Sequence, residues 1–159
     1  MAVYYPHNKG GPNVFSRNVR LKEYVSDNDY EEAMKNASLS SLGTWYAELL
    51  DKHLSELSNF DIIRCIRQKV FIEEVIQECM ERMSTQGTLL YSDDDCIELV
   101  EKIASVDTTI LLQYKNQLEV IFDNMDSQNL IDKYEIWLYE EEKDEFKESM
   151  NRIKKKIGI

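Results

Sequence analysis

The chain has 159 residues, 43% of them hydrophobic, and a formal charge of −11, which fits one folded domain and excludes a wholly disordered protein. The excess charge lies between Ser26 and Glu142, where 26 Asp or Glu face nine Lys or Arg, whereas residues 1–25 and 143–159 each carry +3. This field has the wrong sign for phosphate, so it argues against nucleic-acid or membrane binding and favours a cationic protein partner. Acidity that serves only solubility is the open alternative.

Helix breakers are scarce in the body of the chain. Of two Pro and five Gly, only Gly43 and Gly87 lie between residues 13 and 157, which favours helices over a many-turned β protein. We therefore predict an all-α, single-domain bundle of about six to seven helices over residues 26–159, after a loose basic arm over residues 1–25. Residues 14–25 alternate weakly and fit either an arm or a short strand. Without a spanning apolar run or a secretion signal, the chain is expected to be soluble and cytoplasmic.

The sequence predicts two helix starts near the beginning of the helical region, residues 26–159. Ser26-Asp-Asn-Asp29 predicts a capped start, with Ser26 as the cap and Asp29 three residues later. A second helix is predicted after Ser40, with apolar residues at three- and four-residue steps that carry it to about Ser58. This stripe consists of Leu42, Trp45, Tyr46, Leu49, Leu50, Leu54 and Leu57.

The segment from Phe60 to Met83 contains two apolar groups that one straight helix cannot bury together. The group from Ile62 to Val70 and the group from Phe71 to Met83 point in directions about 150° apart at the helical period. We predict a break near Arg67–Val70, and a central helix with neighbours on opposite sides remains the alternative.

Three further helices are predicted downstream. Ser92 would cap the first, with Asp93, Asp94 and Asp95 at the positive end of its dipole. The second runs from about Asp107 to Met125. The third begins near Ser127, and its apolar stripe lapses at Glu140-Glu141-Glu142, where the helix either projects into solvent or breaks. Beyond this point Phe146, Met150, Ile153 and Ile157 form a second stripe.

Residue types that carry catalysis or bind metals are sparse. Three cysteines, Cys65, Cys79 and Cys96, have no paired spacing, which predicts reduced, buried thiols. Only His7 and His53 occur, so a His-based acid/base pair or metal site is not expected. Nucleophile-elbow, phosphate-loop and dinucleotide motifs are absent from the sequence. We predict no catalytic residue, metal, cofactor or small-molecule substrate, although a carboxylate-dependent metalloenzyme stays open as a third class of function.

A succession of residues in the middle of the chain resembles a known family. It runs Asp61-Ile-Ile-Arg64-Cys-Ile-Arg67-Gln68, then Val75-Ile76, then Gly87 and Tyr91, then Glu98-Leu99. The pattern is similar to that of bacterial immunity proteins of contact-dependent growth inhibition (CDI) systems, and the similarity covers residues 58–100. Departures are Gln77 at a family proline, Thr85-Gln86 for Pro-Leu, and Ser92-Asp93 for Asp-Gly after the tyrosine.

The resemblance implies a small helical protein without catalysis of its own. Such a protein binds the toxic C-terminal domain of a large secreted adhesin, expected here as a one-to-one complex, and the toxin is often a nuclease. We expect the motif residues Asp61, Arg64, Arg67, Gln68, Gly87 and Tyr91 to be structural, with the arginines paired to acids of neighbouring helices.

A nuclease presents a cationic cleft for phosphates, which carboxylates of an inhibitor can fill. The candidate toxin contacts are the acidic clusters Asp27, Asp29, Glu31 and Glu32; Asp93, Asp94 and Asp95; and Glu140, Glu141 and Glu142. Each cluster can also be a plain solvated cap or face. The alternative function is a non-enzymatic helical adaptor that holds a partner helix in an apolar groove.

Overall fold

The computed structural model describes residues 14–86, 95–133, 137 and 139–159, and these ranges contain nine α-helices, three short 3₁₀ turns and no β-strand. The all-α prediction is confirmed, and seven of these helices have nine or more residues. Their bounds are α1 Asp27–Asn36, α2 Ser41–Leu50, α3 Asn59–Gln68, α4 Ile72–Gln86, α5 Cys96–Ala104, α6 Thr108–Leu112, α7 Lys115–Ser127, α8 Leu130–Lys133 and α9 Glu140–Ile157. In the described part, no helix is both long and apolar enough to cross a bilayer.

The chain divides into two compact units, residues 1–61 and 62–159. In the first unit, residues 14–25 pack on the helices through a buried Phe15 and a fully buried Leu21. The latter begins a 3₁₀ turn, Leu21–Tyr24, and its N–H donates to the carbonyl of Lys52 over 2.9 Å. A lone antiparallel bridge joins Arg20 to His53, so the short strand left open by the sequence does not form in residues 14–25. Residues 1–13 of the predicted arm lie outside the described residues.

The predicted Ser26 cap is confirmed, and Ser40, after which the second helix was predicted, also caps its helix. Ser26 Oγ accepts from the N–H of Asp29 over 3.1 Å, and Ser40 Oγ accepts from the N–H of Gly43 over 2.9 Å.

The end predicted for the second helix is wrong, because α2 stops at Leu50. Beyond it, the side chain of Glu56 accepts from the N–H of His53 over 3.4 Å and starts a separate 3₁₀ turn, Leu54–Glu56. Leu54 and Leu57 are buried all the same, since a tighter turn satisfies the same three-residue spacing.

The predicted break between the two central apolar groups is confirmed. The chain leaves α3 at Gln68 and enters α4 at Ile72, and both Lys69 (φ 57°) and Phe71 (φ 51°) adopt left-handed backbone. The N–H of Val70 bonds to the carbonyl of Cys65 over 3.0 Å, which is the six-to-one bond of a Schellman C-cap. The two apolar groups can therefore be buried on separate helices.

Lys69 holds a conformation that glycine adopts without steric cost. Its side chain is exposed, so Lys69→Gly removes backbone strain without removing packing. We expect this variant to be more stable than the wild type by about 1 kcal/mol in urea unfolding. The matched control, Glu101→Gly in the exposed interior of α5, should be less stable by about 1 kcal/mol. A Lys69→Gly protein that unfolds at or below the wild-type midpoint would contradict this account.

In the second unit, α9 packs against α5 and α6, and α7 packs against α4 and α8. The predicted second stripe of α9 is confirmed, since Phe146, Met150, Ile153 and Ile157 are all buried. Of the two options given for Glu140–Glu142, the helix break is confirmed, because α9 begins at Glu140. Cys65, Cys79 and Cys96 are buried and form no disulfide, as predicted, and burial raises the pKa of the Cys79 thiol to about 12.

The helix predicted from Asp107 to Met125 is wrong as one element. It forms as α6 and α7, separated at Gln113 and Tyr114. The N–H of Tyr114 bonds to the carbonyl of Leu111 in a tight turn, and the Tyr114 side chain is buried. Burial, together with the charges of Glu73 and Glu74, raises the pKa of Tyr114 to about 12.

Candidate functional site

The α1 cluster lies on a helix whose residues are all at least partly open to solvent. Asp27, Glu31 and Glu32 are exposed and Asp29 is half-buried. Residues three and four apart share a helix face, so Asp27 lies beside Glu31 and Asp29 beside Glu32. The only base on α1 is Lys35, in its last turn. The helix therefore presents a dense negative surface, which we call the α1 face (Asp27, Asp29, Glu31 and Glu32).

The carboxylates of the α1 face have no cationic partner among the described residues. In the part of the chain that the structure describes, none of the four takes part in an ion pair or in a side-chain hydrogen bond through its carboxylate. No described side chain therefore cancels their charge, and their field extends outward over about a Debye length.

Several other exposed acids are held by cations of the same unit. Asp126 Oδ2 lies 3.1 Å from Lys154 Nζ, and Asp132 is held by Lys143 and by Lys147 at 3.3 Å. The two lysine hydrogen bonds hold the pKa of Asp132 below its usual range. In the first unit, Asp51 Oδ1 lies 3.7 Å from both Arg20 and Lys22. Such acids contribute less to the outward field than their number suggests.

Two shallow depressions border the α1 face. One, of about 320 Å³, lies between α1 and α2 and is lined by Asp29, Glu32, Ala33, Asn36, Gly43 and Tyr46. The other, of about 350 Å³, is formed along α1 by Asn28, Glu31, Glu32, Lys35 and Asn36. A Cβ at Gly43 would lie 2.9 Å from the backbone oxygen of Asn36, so the two helices approach more closely than a larger residue allows. Both depressions offer carboxylates to an inserted cationic side chain.

The other two predicted clusters are less free to act outward. Glu140 lies 3.6 Å from Lys143 Nζ, and Glu142 accepts from the N–H of Tyr139 over 3.4 Å at the start of α9. This arrangement is a capping box, and all three glutamates suit the positive end of the α9 dipole. Asp95 is half-buried immediately before α5, and it makes no side-chain cap. Ser92, Asp93 and Asp94 lie outside the described residues, as does the capped helix start predicted there.

Asp61, the first residue of the family-like motif, is buried at the start of α3. Its carboxylate accepts from Trp45 Nε1 over 3.0 Å, from Lys52 Nζ over 2.9 Å and from the N–H of Ser58 over 3.3 Å. In return, Ser58 Oγ accepts from the N–H of Asp61 over 3.1 Å, which completes a capping box. Burial acts to raise the pKa of Asp61, but these hydrogen bonds outweigh it and the pKa lies below its usual range.

Arg67 is the other motif residue whose contact is clear. In the second unit, its Nη2 lies 2.5 Å from Glu98 Oε1, so two residues of the motif bind each other. This geometry supports the expected pairing with an acid of a neighbouring helix. Arg64 is half-buried and Gln68 is exposed, while Gly87 and Tyr91 lie outside the described residues.

Sequence reasoning missed an apolar groove in the second unit. Val120 lies at the edge of this groove, and its side chain is 60% exposed. The available signal was that Val120 falls outside the buried stripe of α7, formed by Leu118, Ile121, Phe122 and Met125.

Metal binding finds no support in the residues that can be described. Across those ranges, no group of three or more His, Cys, Asp or Glu is arranged to hold an ion.

A family model for CDI immunity proteins matches residues 28–121, from α1 to α7. The match includes three carboxylates of the α1 face and the whole Asp61–Gln68 motif, and it ends before α9. Neither a curated protein nor a solved structure matches the chain.

Proposed function

Because the chain belongs to the CDI immunity proteins, whose family model covers more than half of it, we propose that it neutralises a cognate toxin domain by binding it. The proposed partner is the C-terminal toxin domain of a large secreted adhesin, bound one to one. Neutralisation by occupancy requires no reactive centre in this chain.

The observation that carries the proposed surface is the uncompensated charge of the α1 face. Acids whose charge is cancelled by internal cations cannot steer a partner, whereas four open carboxylates beside two depressions can attract and seat lysine or arginine side chains. A nuclease fits this chemistry best, because it needs a cationic cleft to hold phosphates. In this proposal the α1 face covers that cleft or a basic surface next to it.

A titration tests neutralisation by occupancy. The probe is the C-terminal domain encoded by the gene immediately upstream, assayed first for nuclease activity. We expect activity to fall linearly with added immunity protein and to reach its floor at one equivalent, because each bound protein occupies one toxin. Inactivation by a small fraction of one equivalent would indicate catalytic modification of the toxin and would contradict the proposal. A protein heated above its unfolding temperature is the control.

An adaptor that binds a partner helix remains the second candidate. The observation that favours it is the groove marked by Val120, of about 370 Å³. An adaptor would bind its partner through this groove alone, so its affinity would be insensitive to salt, whereas recognition by the α1 face is salt-dependent.

A further inference from the structure

The groove at Val120 lies between α4, α7 and α8 in the second unit. Its floor is apolar, formed by Met83 of α4, Ile121 and Met125 of α7, and Leu130 of α8. Its volume of about 370 Å³ falls within the range of pockets that enclose a small ligand or a few side chains. Two of the floor residues are methionines, whose flexible thioethers adapt to the shape of an inserted group.

The walls of the groove are held in place by a hydrogen-bonded side chain. The amide of Gln117 on α7 donates to the carbonyl of Met80 over 3.3 Å and to Ser84 Oγ over 2.9 Å, both on α4. This bridge fixes the spacing of the two helices, so the groove exists before a partner arrives. A preformed site loses less conformational entropy on binding.

The rim of the groove is apolar at Val120, and two acids lie beside this residue on the side of α7 away from the groove. Val120 is 60% exposed, although burying a valine side chain away from water is favourable. These acids are Glu119 and Asp123, one turn apart on α7; both are exposed, and neither lines the groove itself. In the described part of the chain neither of these two acids is in an ion pair, whereas Asp126, one turn further on, is held by Lys154. An apolar contact bordered by open carboxylates is complementary to an apolar side chain bordered by cations.

We propose that this groove receives an apolar anchor of the toxin domain, a Leu, Ile or Met side chain flanked by Lys or Arg that reach Glu119 and Asp123. The inference rests on the proposed function, since the partner is the toxin, and it adds a second contact surface that is independent of the α1 face. A second copy of this chain fits less well, because two chains of charge −11 repel each other and the flanking cations would have to come from an acidic body.

Val120→Asp tests the anchor. A buried charge facing an apolar side chain should raise the Kd for the upstream-encoded C-terminal domain by about 30-fold or more, mainly through faster dissociation. Leu112→Asp is the matched control, because Leu112 is an exposed apolar residue of the same unit, 47% exposed, outside the groove. This control should bind as the wild type does. Affinities are measured by surface plasmon resonance, and thermal unfolding verifies that both variants are folded.

The acidic pair beside Val120 is tested by Glu119→Lys combined with Asp123→Lys. The control combines Glu101→Lys with Asp107→Lys, which changes the net charge equally at exposed positions outside the groove. The double variant should weaken binding at least 10-fold more than the control. Equal affinities of Val120→Asp and Leu112→Asp would overturn the inference and leave the proposed function intact. Absence of binding by the wild type would overturn both. A wild-type dimer in sedimentation that Val120→Asp dissociates would also overturn the inference, because a second copy would then occupy the groove.

Discussion

Replacing Asp27 and Asp29 with Asn and Glu31 and Glu32 with Gln should slow association with the toxin domain by about 10- to 100-fold at low salt. These carboxylates have no internal cation in the described part of the chain, so their removal changes the outward field directly. The wild-type association rate should fall steeply with added salt, and the rate of the four-residue variant should fall much less steeply. Stopped-flow mixing at several ionic strengths measures both rates.

The control for this variant removes the same formal charge elsewhere. Glu101, Asp107, Glu145 and Glu148 are exposed acids of the second unit, and replacing them with Gln or Asn reduces the net negative charge by the same four units. If the α1 face guides the encounter, the control should keep most of the wild-type rate and salt dependence. Equal slowing of both variants would show that net charge alone matters and would contradict a specific role of the α1 face.

Helix stability must be separated from recognition in this experiment. Asp27 and Asp29 lie in the first turn of α1, where negative charge favours the helix dipole. The Ser26 cap survives the substitutions, because it uses the backbone N–H of Asp29 and not the side chain. Circular dichroism of the variant should therefore match the wild type at the temperature of the binding measurement.

Helices and their buried faces could be predicted from apolar spacing. Phe146, Met150 and Ile153 repeat at helical steps, and burying one stripe requires one geometry. The break before Phe71 could be predicted for the same reason, since two stripes about 150° apart exclude one straight helix. The end of α2 could not, because Leu54 and Leu57 keep a spacing that a helix and a 3₁₀ turn both satisfy.

The distinction between open and compensated acids could not be predicted. Lys154 reaches Asp126 across 28 positions of sequence, and Arg67 reaches Glu98 across 31, so these pairs depend on tertiary packing. Composition gives the total charge of the body, but only the fold determines which part of it faces solvent uncancelled. The groove at Val120 was hidden for a similar reason, since it forms where three helices converge and no one of them carries its pattern.

Asp61→Ala should lower the free energy of unfolding by about 2–4 kcal/mol, the largest stability loss that we expect from one side chain. The substitution leaves the indole N–H of Trp45 and the N–H of Ser58 without their acceptor, and it removes the partner of Lys52. Asp61→Asn should cost a smaller part of this free energy of unfolding. The amide oxygen still accepts one hydrogen bond, but the amide NH₂ group faces other donors. Asp51→Asn is the matched control, since Asp51 is an exposed acid of the same unit with ion pairs at 3.7 Å, and it should cost less than about 1 kcal/mol.

The pH dependence gives a second measurement on the same carboxylate. Because the pKa of Asp61 is lowered in the folded protein, its charged form stabilises the fold above the unfolded pKa of about 3.9 and loses that effect as the pH falls through the folded value. The stability difference between wild type and Asp61→Asn should therefore be constant near neutral pH and shrink only below about pH 4. Folded Asp61→Asn should still bind the toxin domain with wild-type affinity. A variant of unchanged stability that fails to bind would show that the motif contacts the toxin and does not hold the fold.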